Sequence, residues 1–176
     1  MADVLHVQSE IQARPGPGSV SRSWQIVLGS PANRRDILKI FRKCREDCGE
    51  ACEKEHEAAI SRMLVDASAG RIYLVEVRGE PAGFACVAFR QSVIWAGRLA
   101  ILEKIYLLNG YKGRGLAQRI LRAIIGDLEN FGPAIVTAYL REGDPLSQIF
   151  ELESFSAVPL VRFTDQEISE NVGPVF

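Results

Sequence analysis

The segment Tyr111-Lys112-Gly113-Arg114-Gly115-Leu116-Ala117 joins a strand-like stretch to the clearest helix in the chain. Upstream, residues 98–108 are rich in Ile, Leu and Tyr. Downstream, Leu116, Ile120, Leu121, Ile124, Ile125 and Leu128 recur at the spacing of one helical face. Glycines at 113 and 115 take away side chains where a bound group would approach the backbone. Successive N–H groups then point into the loop, and the helix start adds partial positive charge. Lys112 and Arg114 add cationic character, so phosphate oxygens are the natural ligand. A Walker A loop needs Gly-Lys-Ser/Thr, but Leu116-Ala117 follow Gly115. A dinucleotide fingerprint needs a small third residue, but Gln118 stands there. A basic turn that merely starts a helix, or a phosphate site for another nucleotide, is the alternative reading of the same residues.

Around that loop the chain alternates between the two periodicities. Residues 1–22, with Ala13-Arg14-Pro15-Gly16-Pro17-Gly18-Ser19, hold turn formers without periodicity and read as a mobile tail. Residues 23–176 read as one domain. Trp24-Gln25-Ile26-Val27-Leu28 reads as a first strand, and Ser30-Pro31 as a helix start. Ile37, Ile40, Phe41 and Cys44 keep helical spacing until Gly49, and a second helix follows over residues 53–64. Residues 71–77 and 82–89 read as a hairpin around Arg78-Gly79-Glu80-Pro81. Gly132-Pro133 ends the long helix, residues 134–140 suit a central strand, and Gly143-Asp144-Pro145 caps a short helix through about Phe155. Residues 158–163 read as a last strand. The order β-α-α-β-β-β-α-β-α-β predicts a mixed α/β (α+β) fold.

Lys112-Gly113-Arg114-Gly115-Leu116-Ala117 resembles the acyl-CoA signature of the GNAT acetyltransferase superfamily, Arg/Gln-x-x-Gly-x-Gly/Ala, with lysine at its first position. Leu102-Glu103-Lys104-Ile105-Tyr106-Leu107 is similar to the fourth strand of many members. The resemblance implies a central, mostly antiparallel sheet with splayed strands flanked by helices. It implies acetyl-CoA as cosubstrate, with the pantetheine arm pairing along Ile105, Tyr106 and Leu107 as a surrogate strand. The diphosphate would lie on the amides of Gly113, Arg114, Gly115, Leu116 and Ala117, beside Lys112.

An acceptor amine must be neutral to attack. A lysine-like amine has a pKa of ~10.4, so holding it neutral at pH 7 takes ~4.6 kcal/mol. A general base relieves part of this. The resemblance puts that base at Glu103, nine residues before Lys112. Partial burial in this apolar strand would suit the carboxylate to the task. The superfamily's acid is often a tyrosine in the helix after the fifth strand, and that position is Phe150 here. Tyr139, Tyr106 or water is left to substitute. The departure keeps open a second class of function: a weak or inactive acyl-CoA-binding domain used in regulation or assembly.

Lys plus Arg (21) nearly cancel Asp plus Glu (22), which argues against a general nucleic-acid or membrane-surface binder. The four cysteines do not read as a disulfide framework, and the chain reads as cytoplasmic. Cys44, Cys48, Cys52 and His56 recur every fourth residue, but one helix would spread them over ~18 Å, too far for one zinc ion. Core packing explains them without a metal, and Cys86 also reads as core. Segment 34–45 is basic and segment 46–57 acidic, which reads as a helix pair laced with ion pairs. In the superfamily this region borders the acceptor. An acidic lip there, facing Glu142 and Asp144, would favour a cationic primary amine on a small molecule or peptide. An open sheet edge after Phe163 would allow a homodimer.

Overall fold

The architecture is that of a computed structural model, which describes residues 24–113, 115–132, 135–140, 144 and 146–156. The tail expected at 1–22 and the last strand expected at 158–163 lie outside these residues. β1 (Trp24–Leu28) is followed by α1 (Arg34–Asp47) and α2 (Lys54–Met63). Then come β2 (Gly70–Val77), β3 (Glu80–Ser92), β4 (Gly97–Leu107), α3 (Leu116–Phe131), β5 (Ile135–Ala138) and α4 (Leu146–Leu152). The strands form a five-stranded sheet in the order β1-β2-β3-β4-β5. The first four run antiparallel to their neighbours, while β5 pairs parallel with β4. This is the mixed α/β arrangement expected from the sequence, a mostly antiparallel sheet flanked by helices.

Three boundaries differ from expectation for identifiable reasons. β3 runs on to Ser92, because polar Arg90-Gln91-Ser92 pair with Leu99-Arg98-Gly97 across the hairpin. β5 is shorter than 134–140, since its ladder with β4 stops at Leu102↔Ala138. α4 stops at Leu152, where the chain folds back and the Phe155 N–H donates to the Phe150 carbonyl at 3.0 Å. Phe155 then meets Phe150 edge-on, with ring centroids 4.8 Å apart.

Both sheet faces are covered. On one side Tyr73, Val75, Ala85, Val87, Leu102, Ile105 and Leu107 join the apolar stripe of α3 and Phe150 of α4. On the other, Ile72, Leu74, Phe84 and Tyr106 meet Ile37, Ile40 and Cys44 of α1 and Ile60 of α2. Residues along a strand alternate between faces, so Leu102 and Ile105, three apart, should lie on opposite sides. They share one side. The register explains it: Cys86 faces Lys104 and Val87 faces Leu102, leaving Glu103 as an extra residue in β4. That is a β-bulge, and it bends the strand at this point. No helix among the described residues is long and apolar enough to cross a membrane.

One polar group is buried inside the α3-side layer. Asp127 on α3 is 6% exposed. Its Oδ2 accepts from Arg71 Nη1 at 2.5 Å and from Tyr73 Oη at 2.7 Å. Removing one member of a buried pair strands the other without water. Asp127→Ala should therefore lose about 3 kcal/mol in urea denaturation. Glu153→Ala, whose partner Arg122 is exposed on the surface, should lose under about 1 kcal/mol.

Candidate active site

β4 and β5 travel together through four residue pairs, from Leu99↔Ile135 to Leu102↔Ala138, and then part. The bulge at Glu103 begins where the pairing ends. Past it, β4 runs on to Leu107 with its pairing to β3 intact, while β5 contributes no further partner. The result is a notch between two parallel strands, floored by β4 backbone that has no ladder partner on that side among the described residues. Ile105 and Leu107 line it with backbone only, since their side chains lie 0% and 4% exposed in the α3-side core.

The glycine loop sits at the far end of this floor. Gly113 and Gly115 take left-handed φ values of +75° and +66°, which explains why glycine serves at both positions. Among the described residues, a Cβ added at either would meet no atom within 4 Å beyond its chain neighbours, so no other described element crowds the loop. Gly115 is the N-cap of α3 and brings no side chain to cap the helix. The first-turn amides of α3, on Leu116, Ala117 and Gln118, are of the kind that an anion satisfies. Leu116 is buried and Ala117 half-buried, so their side chains anchor the helix start while their amides stay at its tip. Arg114 lies outside the described residues.

Lys112 is exposed, and its ammonium stands 5.3 Å above the ring of Tyr106. Tyr106 is buried on the α1/α2 face, and its Oη donates to Asp47 Oδ2 at 2.7 Å. Asp47, the last residue of α1, also meets Lys43 Nζ at 2.9 Å. The hydrogen bond from Lys43, then that from Tyr106, hold the Asp47 carboxyl below its ordinary value. Burial, and then the bond to Asp47, push the Tyr106 hydroxyl above its own. Sequence reasoning missed Asp47, which it counted only as one charge in an acidic segment.

Glu103 is exposed, not partly buried as the apolar strand suggested, because the bulge turns it out of the alternation. Cys86, expected to be plain core, is half-buried, and its Sγ lies 3.5 Å from Glu103 Oε2. Phe150 is buried and carries no proton to give. Of the four tyrosines, Tyr73 and Tyr106 donate to buried or partly buried aspartates, and Tyr111 is half-buried against the α3-side core. Tyr139, 55% exposed, directly follows the last β4–β5 pair. Val136, Ala138 and Leu140 pack on the α3 side, so alternation sends Tyr139 to the α1/α2 face.

The acidic segment is largely neutralised within the helix pair. Arg42 pairs with Glu57 at 2.5 Å, Lys43 with Glu46 at 3.1 Å, and Arg45 with Glu50. Asp144 is 5% exposed, and its Oδ1 accepts the Leu146 N–H at 2.9 Å at the start of α4. Glu142 lies outside the described residues. Cys44 is buried, and desolvation pushes its thiol up to about 12. Among the described residues no three His, Cys, Asp or Glu side chains gather to hold a metal ion.

Comparison with known proteins fits this geometry. Residues 34–144 match the family model described as Acetyltransferase (GNAT) family. No curated protein matches the chain. Among solved structures, an integron cassette protein from the mobile metagenome of Cole Harbour Salt Marsh superimposes with a TM-score of 0.71 at 12% identity, covering 81% of this chain and 90% of its own. The aminoglycoside N-acetyltransferase AAC(6')-Iy, in complex with CoA, gives 0.65 at 16% identity, covering 83% and 96%. The ribosomal-protein-alanine N-acetyltransferase of Brucella melitensis biovar Abortus 2308 gives 0.64 at 14%, covering 82% and 99%. At these identities the likeness establishes the fold.

The Asp47 cluster yields a pH test with a definite sign. A carboxyl held low in the folded state stabilises above its unfolded pKa and loses that contribution as pH falls through the folded value. Wild type and Asp47→Asn should therefore differ most in urea midpoint at pH 7. The gap should close as pH drops below ~3.9.

Proposed function

The chain belongs to the acetyltransferase (GNAT) family, and from that premise we propose that it is an acetyl-CoA-dependent N-acetyltransferase acting on a primary amine by direct transfer. The observation that carries this reading is the notch: β4 parts from β5 at a bulge that presents a carboxylate, and a glycine loop lies at its end. Acetyl-CoA supplies an activated acyl thioester. Backbone along Ile105, Tyr106 and Leu107 would bind its pantetheine arm. The amides of Gly113 to Ala117 would bind its diphosphate, with Lys112 and Arg114 adding charge. Two structural neighbours are described as N-acetyltransferases of aminoglycosides and of a ribosomal protein alanine. Both supports point to an amine on a small molecule or peptide as acceptor.

Glu103 would take the proton from that amine, directly or through water. Its exposure leaves it within reach of an incoming acceptor. Tyr139 Oη would return a proton on the same side, since Phe150 has none and the Tyr73 and Tyr106 hydroxyls are engaged by Asp127 and Asp47. The buried Phe150 also favours a second reading, an acyl-CoA-binding domain with little turnover.

The two readings separate in one experiment. Both expect acetyl-CoA to raise the melting temperature. The enzyme also releases free CoA when offered amines, aminoglycosides or peptide amino termini. In Glu103→Gln that release should fall at least about a hundredfold in kcat/KM while the thermal shift by acetyl-CoA persists. A thermal shift with no CoA release from any amine would favour the binding domain.

A further inference from the structure

We propose that Cys86 is a positioning residue for Glu103, its thiol hydrogen engaging Oε2 so that Oε1 is presented to the acceptor amine; this rests on the enzymatic reading above. Glu103 is the residue that β4 holds in excess, and Cys86 is the β3 residue at which the ladder slips. A bulged residue has no cross-strand partner of its own, so nothing in the ladder fixes the direction of its side chain. An exposed glutamate with free rotamers is a poor base, because its oxygens are seldom where the proton is. A misplacement of about 1 Å can cost up to a hundredfold in rate. The thiol of Cys86 supplies the missing constraint from the adjacent strand.

The thiol has one hydrogen and two neighbours that could accept it. Glu103 Oε2 lies at 3.5 Å and Met63 Sδ at 3.8 Å. A thioether is a weak acceptor and an ionised carboxylate a strong one, so the hydrogen goes to Glu103. The thiol also keeps that hydrogen. Burial first, and then the negative charge of Glu103, push it well above the ordinary thiol value. Cys86 is thus a fixed donor and not a competing nucleophile. Its backbone is held in β3 and its side chain is packed against the α1/α2 layer.

Three substitutions separate positioning from packing. Cys86→Ser keeps a donor, Cys86→Val keeps apolar bulk without one, and Cys86→Ala keeps neither. If the thiol positions Glu103, Val and Ala should each lower kcat about tenfold with KM for acetyl-CoA unchanged, while Ser stays within about twofold. If Cys86 only fills space, the order inverts, with Val best and Ser worst, and the inference is overturned. In the Glu103→Gln background the differences among the three should vanish, because the group being positioned has lost its function.

A second readout needs no turnover. Removing the carboxylate charge in Glu103→Gln should speed iodoacetamide labelling of Cys86 about tenfold relative to Cys44. Unchanged labelling would mean the two groups do not interact and would overturn the inference on its own. Absence of CoA release by the wild-type chain with every amine tried would instead overturn the enzymatic reading, and the positioning role with it.

Discussion

The sheet depends on one surplus residue. With Glu103 out of register, β4 carries Leu102 and Ile105 into the same α3-side core although they are three positions apart. The strand bends where its parallel partner gives out, at Leu102↔Ala138. Without the bulge, strict alternation beyond Leu102 would reverse the faces of Ile105, Tyr106 and Leu107. Leu107 and Ile105 would then leave the α3 layer, and Tyr106 would leave Asp47. The same local irregularity opens the notch, exposes a carboxylate at its mouth and aligns the strand with the glycine loop. Core packing and candidate chemistry are set by the same backbone event.

The rest of the molecule holds that arrangement still. On one face Tyr106 runs from the β4 floor to Asp47 at the end of α1, and Lys112 rests above its ring. The loop that would grip an anion is thereby tied to the end of α1. On the other face Asp127 of α3 is bonded to Arg71 and Tyr73 of β2, so α3 and its amide-rich start are pinned across the sheet. Both links are charge-assisted, and the Asp127 pair is almost fully enclosed. Together they fix how α1 and α3 sit against the two faces of the sheet.

The sequence made the local features legible and left the crossed ones hidden. The apolar stripe from Leu116 to Leu128, the alternation in β2 and the glycine loop all follow from periods and turn chemistry within one segment. Phe150 was legible as a departure because a resemblance supplied its expected neighbourhood. The bulge was not, though a trace of it is present. Glu103-Lys104 are adjacent charges inside Leu99-Ala100-Ile101-Leu102 and Ile105-Tyr106-Leu107, a pattern that alternation cannot accommodate on two buried faces. Asp47 and Cys86 were misjudged for a related reason. Their partners lie 59 and 17 residues away, and only the register of β4 brings them together. The ion-paired helix pair was read from local i,i+4 spacing, but the pairing of Arg42 with Glu57, on separate helices, lies beyond what spacing alone shows.

The central claim is that the parted β4 strand and the glycine loop together form one cradle for acetyl-CoA. Hydrogen exchange with and without CoA tests it most directly. The account predicts slowed exchange in two places, the β4 amides of residues 104–107 and the loop amides of residues 113–117, with β1 and β2 unchanged. CoA that raises the melting temperature while leaving both segments untouched, or that protects a different part of the sheet, would contradict it.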